Sequence, residues 1–154
     1  MEREERWAAM RQIANASPYY RHSGLEIVEL AEGTSLLRLS VKDELKNLYG
    51  TLHGGVLMAM LDSTCSFAVG SLLEEGESMV TLDIRVNLIS NVSEGVLTGE
   101  GTAIHKGRNT AVARGEIRDE SGKLIACGMT TNFVKRLDPQ TPEQLGGPQE
   151  SPPQ

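Results

Sequence analysis

Asn47-Leu48-Tyr49-Gly50-Thr51-Leu52-His53-Gly54-Gly55 leads directly into the longest apolar stretch of the chain, Gly54 to Leu73, which holds one carboxylate, Asp62. A run of roughly 20 residues has the length of a membrane span, but Asp62, Ser63, Thr64 and Ser66 at its centre favour a buried helix in a soluble domain. Consecutive glycines at the helix start leave backbone N–H groups uncovered. The helix dipole adds partial positive charge there, so an oxygen acquiring negative charge is stabilised. Asp62 lies among Met58, Met60, Leu61 and Phe67, where an unpaired carboxylate is costly. Its chemistry is therefore that of a nucleophile or general base, or else of a group bonded to nearby backbone or to a partner subunit.

Spacing sharpens the choice. Nine residues of helix, at ~1.5 Å and ~100° each, put His53 and Asp62 about 13 Å apart on nearly opposite faces. They cannot meet one reacting atom within a single chain. Two antiparallel helices from paired subunits would set the glycine end of one against the acid of the other, so the motif predicts dimerisation with two equivalent sites.

Outward from the helix, period-2 alternation predicts strands over Leu25–Leu30 and Thr34–Val41, with Glu32-Gly33 as their turn, and then a polar loop over Lys42–Thr51. Four more strands follow the helix, Ser78–Leu88, Gly95–His105, Thr110–Asp119 and Lys123–Val134. Their turns are Ser90–Glu94, Lys106–Asn109 and Glu120–Gly122. Gly99, Gly101 and Ala103 on one strand and Ala111, Ala113 and Gly115 on another let a sheet bend tightly or another backbone approach. The pattern predicts an α+β domain, a curved antiparallel β-sheet wrapped around one long central helix. Residues 1–17 read as an N-terminal helix that stops near Ser17-Pro18, with Trp7, Met10 and Ile13 toward the body. The domain proper spans 18–137. Residues 138–154, which hold five of the six prolines, read as a disordered tail.

The 154 residues are enough for one domain, and 39% hydrophobic with 23% charged is globular composition. A net charge of −6, with scattered basic residues, speaks against nucleic acid as a partner. Cys65 and Cys127 lack metal-binding or CxxC spacing, and the charged start, Met1 to Met10, has no apolar run behind it. A reduced, cytoplasmic protein without metal is the expectation. His22 and His105 have no partner at ligand spacing and receive no role.

Asn47, Gly50, His53, Gly54, Gly55 and Asp62 share the spacing of an Asn and a Gly before His-Gly-Gly, with an acid nine residues after the histidine. Here the chain resembles the hotdog-fold acyl-CoA thioesterases of the phenylacetate-degradation (PaaI-like) type, over about residues 20 to 136. The resemblance implies a homodimer or homotetramer with sites at the subunit interface, an acyl-CoA substrate, and no cofactor, coenzyme A being part of the substrate.

It further implies that the Gly54 N–H and the Asn47 amide hold the carbonyl oxygen, and that His53 orients the loop or the sulfur. Asp62 then activates water or attacks through an anhydride. Ser66, one turn on, shares its face and is placed to position that water. Thr81 falls where similar proteins carry Ser or Thr near the acyl group. In the family the hairpin at Lys106, Gly107, Arg108 and Asn109 helps hold the nucleotide of coenzyme A; a solvated turn is the plain alternative. Met58, with Met60, Leu61, Phe67 and Met79, offers an adaptable lining for aromatic or medium-chain acyl groups. Leu88 and Asn91 stand where many relatives have an aromatic residue and a proline, which puts substrate choice in question more than fold. The competing expectation is a non-catalytic acyl-CoA-binding hotdog protein.

Overall fold

The computed structural model describes residues 2–136. In chain order they form α1 (Arg3–Ala16), α2 (Pro18–Ser23), β1 (Leu25–Ala31), β2 (Thr34–Ser40) and a 3-10 turn (Asp43–Leu45). Then come α3 (Gly54–Gly70), β3 (Glu77–Leu88), β4 (Val96–Lys106), β5 (Thr110–Arg118) and β6 (Leu124–Arg136). The strands make one antiparallel sheet in the order β1-β2-β4-β5-β6-β3, and α3 touches every strand.

The packing follows from side-chain size. Leu57, Met60, Leu61, Thr64, Cys65 and Ala68 recur at helical spacing and are buried against the sheet. Each large apolar side chain among them contributes about 1.5–3 kcal/mol by leaving water. The glycines beneath the helix permit this approach, since a side chain at Gly101 would meet the Thr64 carbonyl and one at Gly128 would meet the Arg85 carbonyl and Leu61. The small-residue stripes on β4 and β5 thus mark where α3 seats.

At the amino end, Glu2 and Glu5 form a capping box that starts α1. The chain differs here from its sequence pattern in two ways. Pro18 ends α1 but also occupies the first turn of a short second helix, because its fixed φ suits that position and its missing N–H is not needed there. And Ile13 is 60% exposed; Trp7, Met10 and Ala14 are the residues of α1 that pack on the core. The Trp7 indole N–H donates to the Ser71 carbonyl at 3.0 Å, tying α1 to the end of α3. The predicted tail, 138–154, lies outside the described residues.

The two sheet edges are treated differently. Along β1, Asn15 acts as a surrogate strand neighbour: its Nδ2 donates to the Ile27 carbonyl at 3.0 Å and its Oδ1 accepts from the Ile27 N–H at 2.8 Å. Arg11 donates to the Val28 carbonyl at 2.8 Å. The opposite edge, β3, is paired only on its β6 side among the described residues and exposes Val80, Leu82 and Leu88.

Candidate active site

The start of α3 is built by His53. Its backbone is extended, its N–H donates to the Leu45 carbonyl at 2.9 Å, and its side chain caps the helix by accepting the Gly55 N–H on Nδ1 at 2.9 Å. A neutral imidazole that accepts on Nδ1 carries its proton on Nε2, so the exposed side of the ring is a donor. Gly55 is required by this cap, since a Cβ there would lie 2.9 Å from Nδ1. With Gly55 satisfied by the imidazole and Val56 by the His53 carbonyl, the Gly54 N–H is the first-turn donor that has no acceptor among the described residues. It borders a cavity of about 210 Å³ that is also lined by Asn47, Leu57, Leu88, Ile89 and Asn91. The two positions that depart from the family pattern, Leu88 and Asn91, therefore both face this cavity.

Asn47 works first on its own loop. Its Oδ1 accepts from the N–H groups of Tyr49 (2.9 Å) and Thr51 (3.3 Å), and its Nδ2 donates to Thr51 Oγ1 at 3.0 Å. These bonds fix the turn before His53 and engage one of the two amide N–H bonds.

Asp62 is presented differently from its sequence surroundings. Met60 and Leu61 turn under α3 into the core, whereas Met58, Asp62 and Ser66 share the outer stripe, with Met58 exposed and Asp62 half-buried. The carboxylate is not enclosed by Met60 and Leu61, because neighbours in a helix lie ~100° apart. Thr81 on β3 donates to Asp62 Oδ1 at 2.9 Å, and Ser66 Oγ lies 3.3 Å from Thr81 Oγ1. The acid, Ser66 and Thr81 thus form one cluster. Gly54 is eight residues away, about 12 Å along the axis, so a single chain does not bring donor and acid together.

Three residues of this region escaped the sequence pattern. Tyr20 of α2 packs edge-on to Phe67 at 6.2 Å, and burial pushes its phenol up to about 12. Thr130 and Asn132 of β6 lie fully under α3 and bond each other and Thr81. Polar residues at two inward positions of an otherwise apolar alternation were the available signal. Tyr20 gave none, since no element is predicted between Pro18 and Gly24.

The basic hairpin is only partly free. Lys106 is held by Glu77 at 2.7 Å, with both side chains largely buried, so part of its ammonium is engaged within the chain. Burial opposes the Glu77 charge, but the Glu74 backbone N–H, Lys106 and Arg136 outweigh it and hold the carboxyl below its usual value. The Gly107 N–H closes the turn on the Thr110 carbonyl at 2.7 Å. Arg108 and Asn109 are exposed at its tip.

A curved antiparallel sheet around one helix, with a capped glycine start and a mid-helix acid, defines a hotdog-fold thioester hydrolase. The chain belongs to the thioesterase superfamily, whose family model matches residues 49–126. It is 31% identical over 113 residues to the 1,4-dihydroxy-2-naphthoyl-CoA hydrolase of Listeria monocytogenes, covering 73% of this chain and 92% of the relative. The crystal structure of thioesterase HI1161 from Haemophilus influenzae superposes with a TM-score of 0.77 at 33% identity, covering 83% of this chain and 89% of that one. A thioesterase from Pseudomonas aeruginosa, at 21% identity and a TM-score of 0.77, adds likeness of fold alone, covering 84% of this chain and 94% of its own.

Proposed function

We propose that this protein hydrolyses an acyl-CoA thioester to the free acid and coenzyme A, at sites formed between two subunits. The observation that carries the proposal is the separation of two prepared groups. The Gly54 N–H is left unbonded at a cavity by the His53 cap, and the Asp62 carboxylate is oriented by Thr81 on the outer face of the same helix. Each lacks its counterpart within the chain, and an antiparallel copy of α3 supplies both. The open β3 edge, with Val80, Leu82 and Leu88 exposed, is a surface where such a copy can pair, whereas Asn15 and Arg11 cover the β1 edge.

In this arrangement the thioester carbonyl lies on the Gly54 N–H of one subunit, with His53 Nε2–H and the remaining Asn47 amide N–H nearby. Asp62 of the other subunit takes a proton from water, the hydroxide adds to the carbonyl carbon, and the carbon–sulfur bond breaks. The coenzyme A thiolate leaves and is protonated, and the acid remains. In the alternative order Asp62 itself attacks and water opens the resulting anhydride. One turnover in ¹⁸O water with enzyme in excess tests the second order: label found in Asp62 marks an anhydride opened at the aspartyl carbonyl. Arg108 is the hairpin cation for the nucleotide phosphates, Lys106 being engaged by Glu77. The apolar cavity wall of Leu57, Leu88 and Ile89 suits an aromatic or medium-chain acyl group. Free Cys65 and Cys127 suit a reducing, cytoplasmic setting.

A panel of aromatic and straight-chain acyl-CoAs with a thiol-detecting reagent tests the proposal. Thiol release is expected, falling by about 10²–10⁴-fold in Asp62→Asn with the oligomer intact. Acyl-CoA binding without thiol release, or full turnover by Asp62→Asn, refutes it; the first result would leave a binding protein.

A further inference from the structure

Thr130 and Asn132 project from β6 toward α3, 1% and 0% exposed. Thr130 Oγ1 lies 3.0 Å from Asn132 Oδ1, Asn132 Nδ2 lies 3.2 Å from Thr81 Oγ1, and Thr81 Oγ1 lies 2.9 Å from Asp62 Oδ1. An ionised carboxylate can only accept, so the single hydroxyl proton of Thr81 is given to Asp62. Thr81 Oγ1 must then accept from Asn132, which presents its NH₂ side. That orientation turns Asn132 Oδ1 toward Thr130, whose hydroxyl has to donate. The chain has one polarity, set by the acid at its open end, and Asn132 and Thr130 are shielded from water that might substitute for either of them.

The backbone supports the same reading. Thr81 is the direct register partner of Asn132, and the register shifts between Thr81 and Asp83, so one extra residue, Leu82, sits in β3 next to the cluster. Such a bulge re-aims the neighbouring side chain.

We propose that Asn132 and Thr130 are positioning residues. Through Thr81 they lock the Asp62 carboxylate in the rotamer that faces the partner's glycine end, and neither touches substrate. This rests on the catalytic reading of Asp62 given above.

The test sets two near-isosteric changes against each other. Thr130→Val keeps the branched shape and removes the donor; Thr130→Ser keeps the donor and removes a methyl group. For a positioning role, Thr130→Val lowers kcat about tenfold or more with KM within about twofold, and Thr130→Ser retains most of kcat even if its Tm falls further. Asn132→Leu should match Thr130→Val. If activity follows Tm across the three variants, or if Thr130→Val turns over like the wild type, the proposal is overturned. Should the wild type cleave no thioester, the functional reading fails separately, and the relay is decided by NMR. The ¹⁵N side-chain amide of Asn132 then shifts in Thr130→Val and in Asp62→Asn if the groups are coupled, and stays fixed in Asp62→Asn if they are not.

Discussion

At the residue scale the two ends of the reaction can be separated by single atoms. Gly54 is the first residue of α3, and His53 before it has φ −64 and ψ 132, the extended geometry that a following proline requires. Proline is also well tolerated at a first helical position. Gly54→Pro therefore removes the proposed carbonyl donor with little disturbance of the helix; the nearest atom to a new Cβ is the mobile Leu88 Cδ1. A fall in kcat of about 10²–10³ is expected, with unchanged far-UV dichroism. A loss below tenfold in a folded protein would remove the Gly54 N–H from the mechanism. The residue scale is also where sequence reasoning was most uneven. His53, Gly54 and Gly55 interact within two residues of one another, so their spacing carries their geometry. Lys106 looked like a free cation because Glu77, its partner, is 29 residues away in the chain.

At the element scale, α1 covers one sheet edge, while β3 at the other is paired only with β6 among the described residues. Asn15 satisfies both backbone groups of Ile27, which is 1% exposed. Asn15→Leu leaves those groups without partners and should cost about 1–3 kcal/mol in urea unfolding, while kcat, which on the proposed reading depends on the far edge, should stay near the wild-type value. An unfolding midpoint equal to that of the wild type would show that α1 covers β1 without supporting it. The elements themselves were legible: five of the six strands match their period-2 runs to within one residue and β6 to within two, while the long helix ends three residues before the apolar run does. The short α2 was not, because a proline after a helix is equally a stop and a start, and the packing of Tyr20 on Phe67 decided between them.

At the scale of the whole molecule, the proposal that sites are shared between subunits predicts complementation. Gly54→Pro and Asp62→Asn each break both sites of their own homodimer, yet a mixed dimer keeps one site whole. Random re-pairing of equal amounts should restore about a quarter of wild-type activity, from half the dimers with half their sites. No recovery after verified subunit exchange would place each site within one chain. Alkaline stability depends on the core as well. Burial first, and the nearby Asp62 charge, push the Cys65 thiol from 9.0 to about 12, with the neighbouring Thr130 hydroxyl opposing the shift. A raised folded value means stability is fully present below the unfolded value of 9.0 and is lost as pH climbs toward about 12. The wild type should thus lose stability above about pH 9 at up to about 1.4 kcal/mol per pH unit from this group, and Cys65→Ala should decline less steeply. Parallel melting curves for the two proteins from pH 8 to 11 would contradict it.

What the sequence determined alone is local: the glycine-opened, histidine-capped helix start, the acid at a fixed rise and angle from it, and strands that alternate. These depend on bonds a few residues long, and the distance of about 12 Å between Gly54 and Asp62 follows from helix geometry alone. Tertiary structure decided the rest. Thr81 meets Asp62, and Asn132 meets Thr81 across 51 residues, only because β3 pairs with β6 in one register with a bulge after Thr81. It likewise turned Met60 and Leu61 inward, engaged Lys106, and left β3 rather than β1 open. Register and edge exposure are properties of how distant segments pack, and no short-range pattern encodes them.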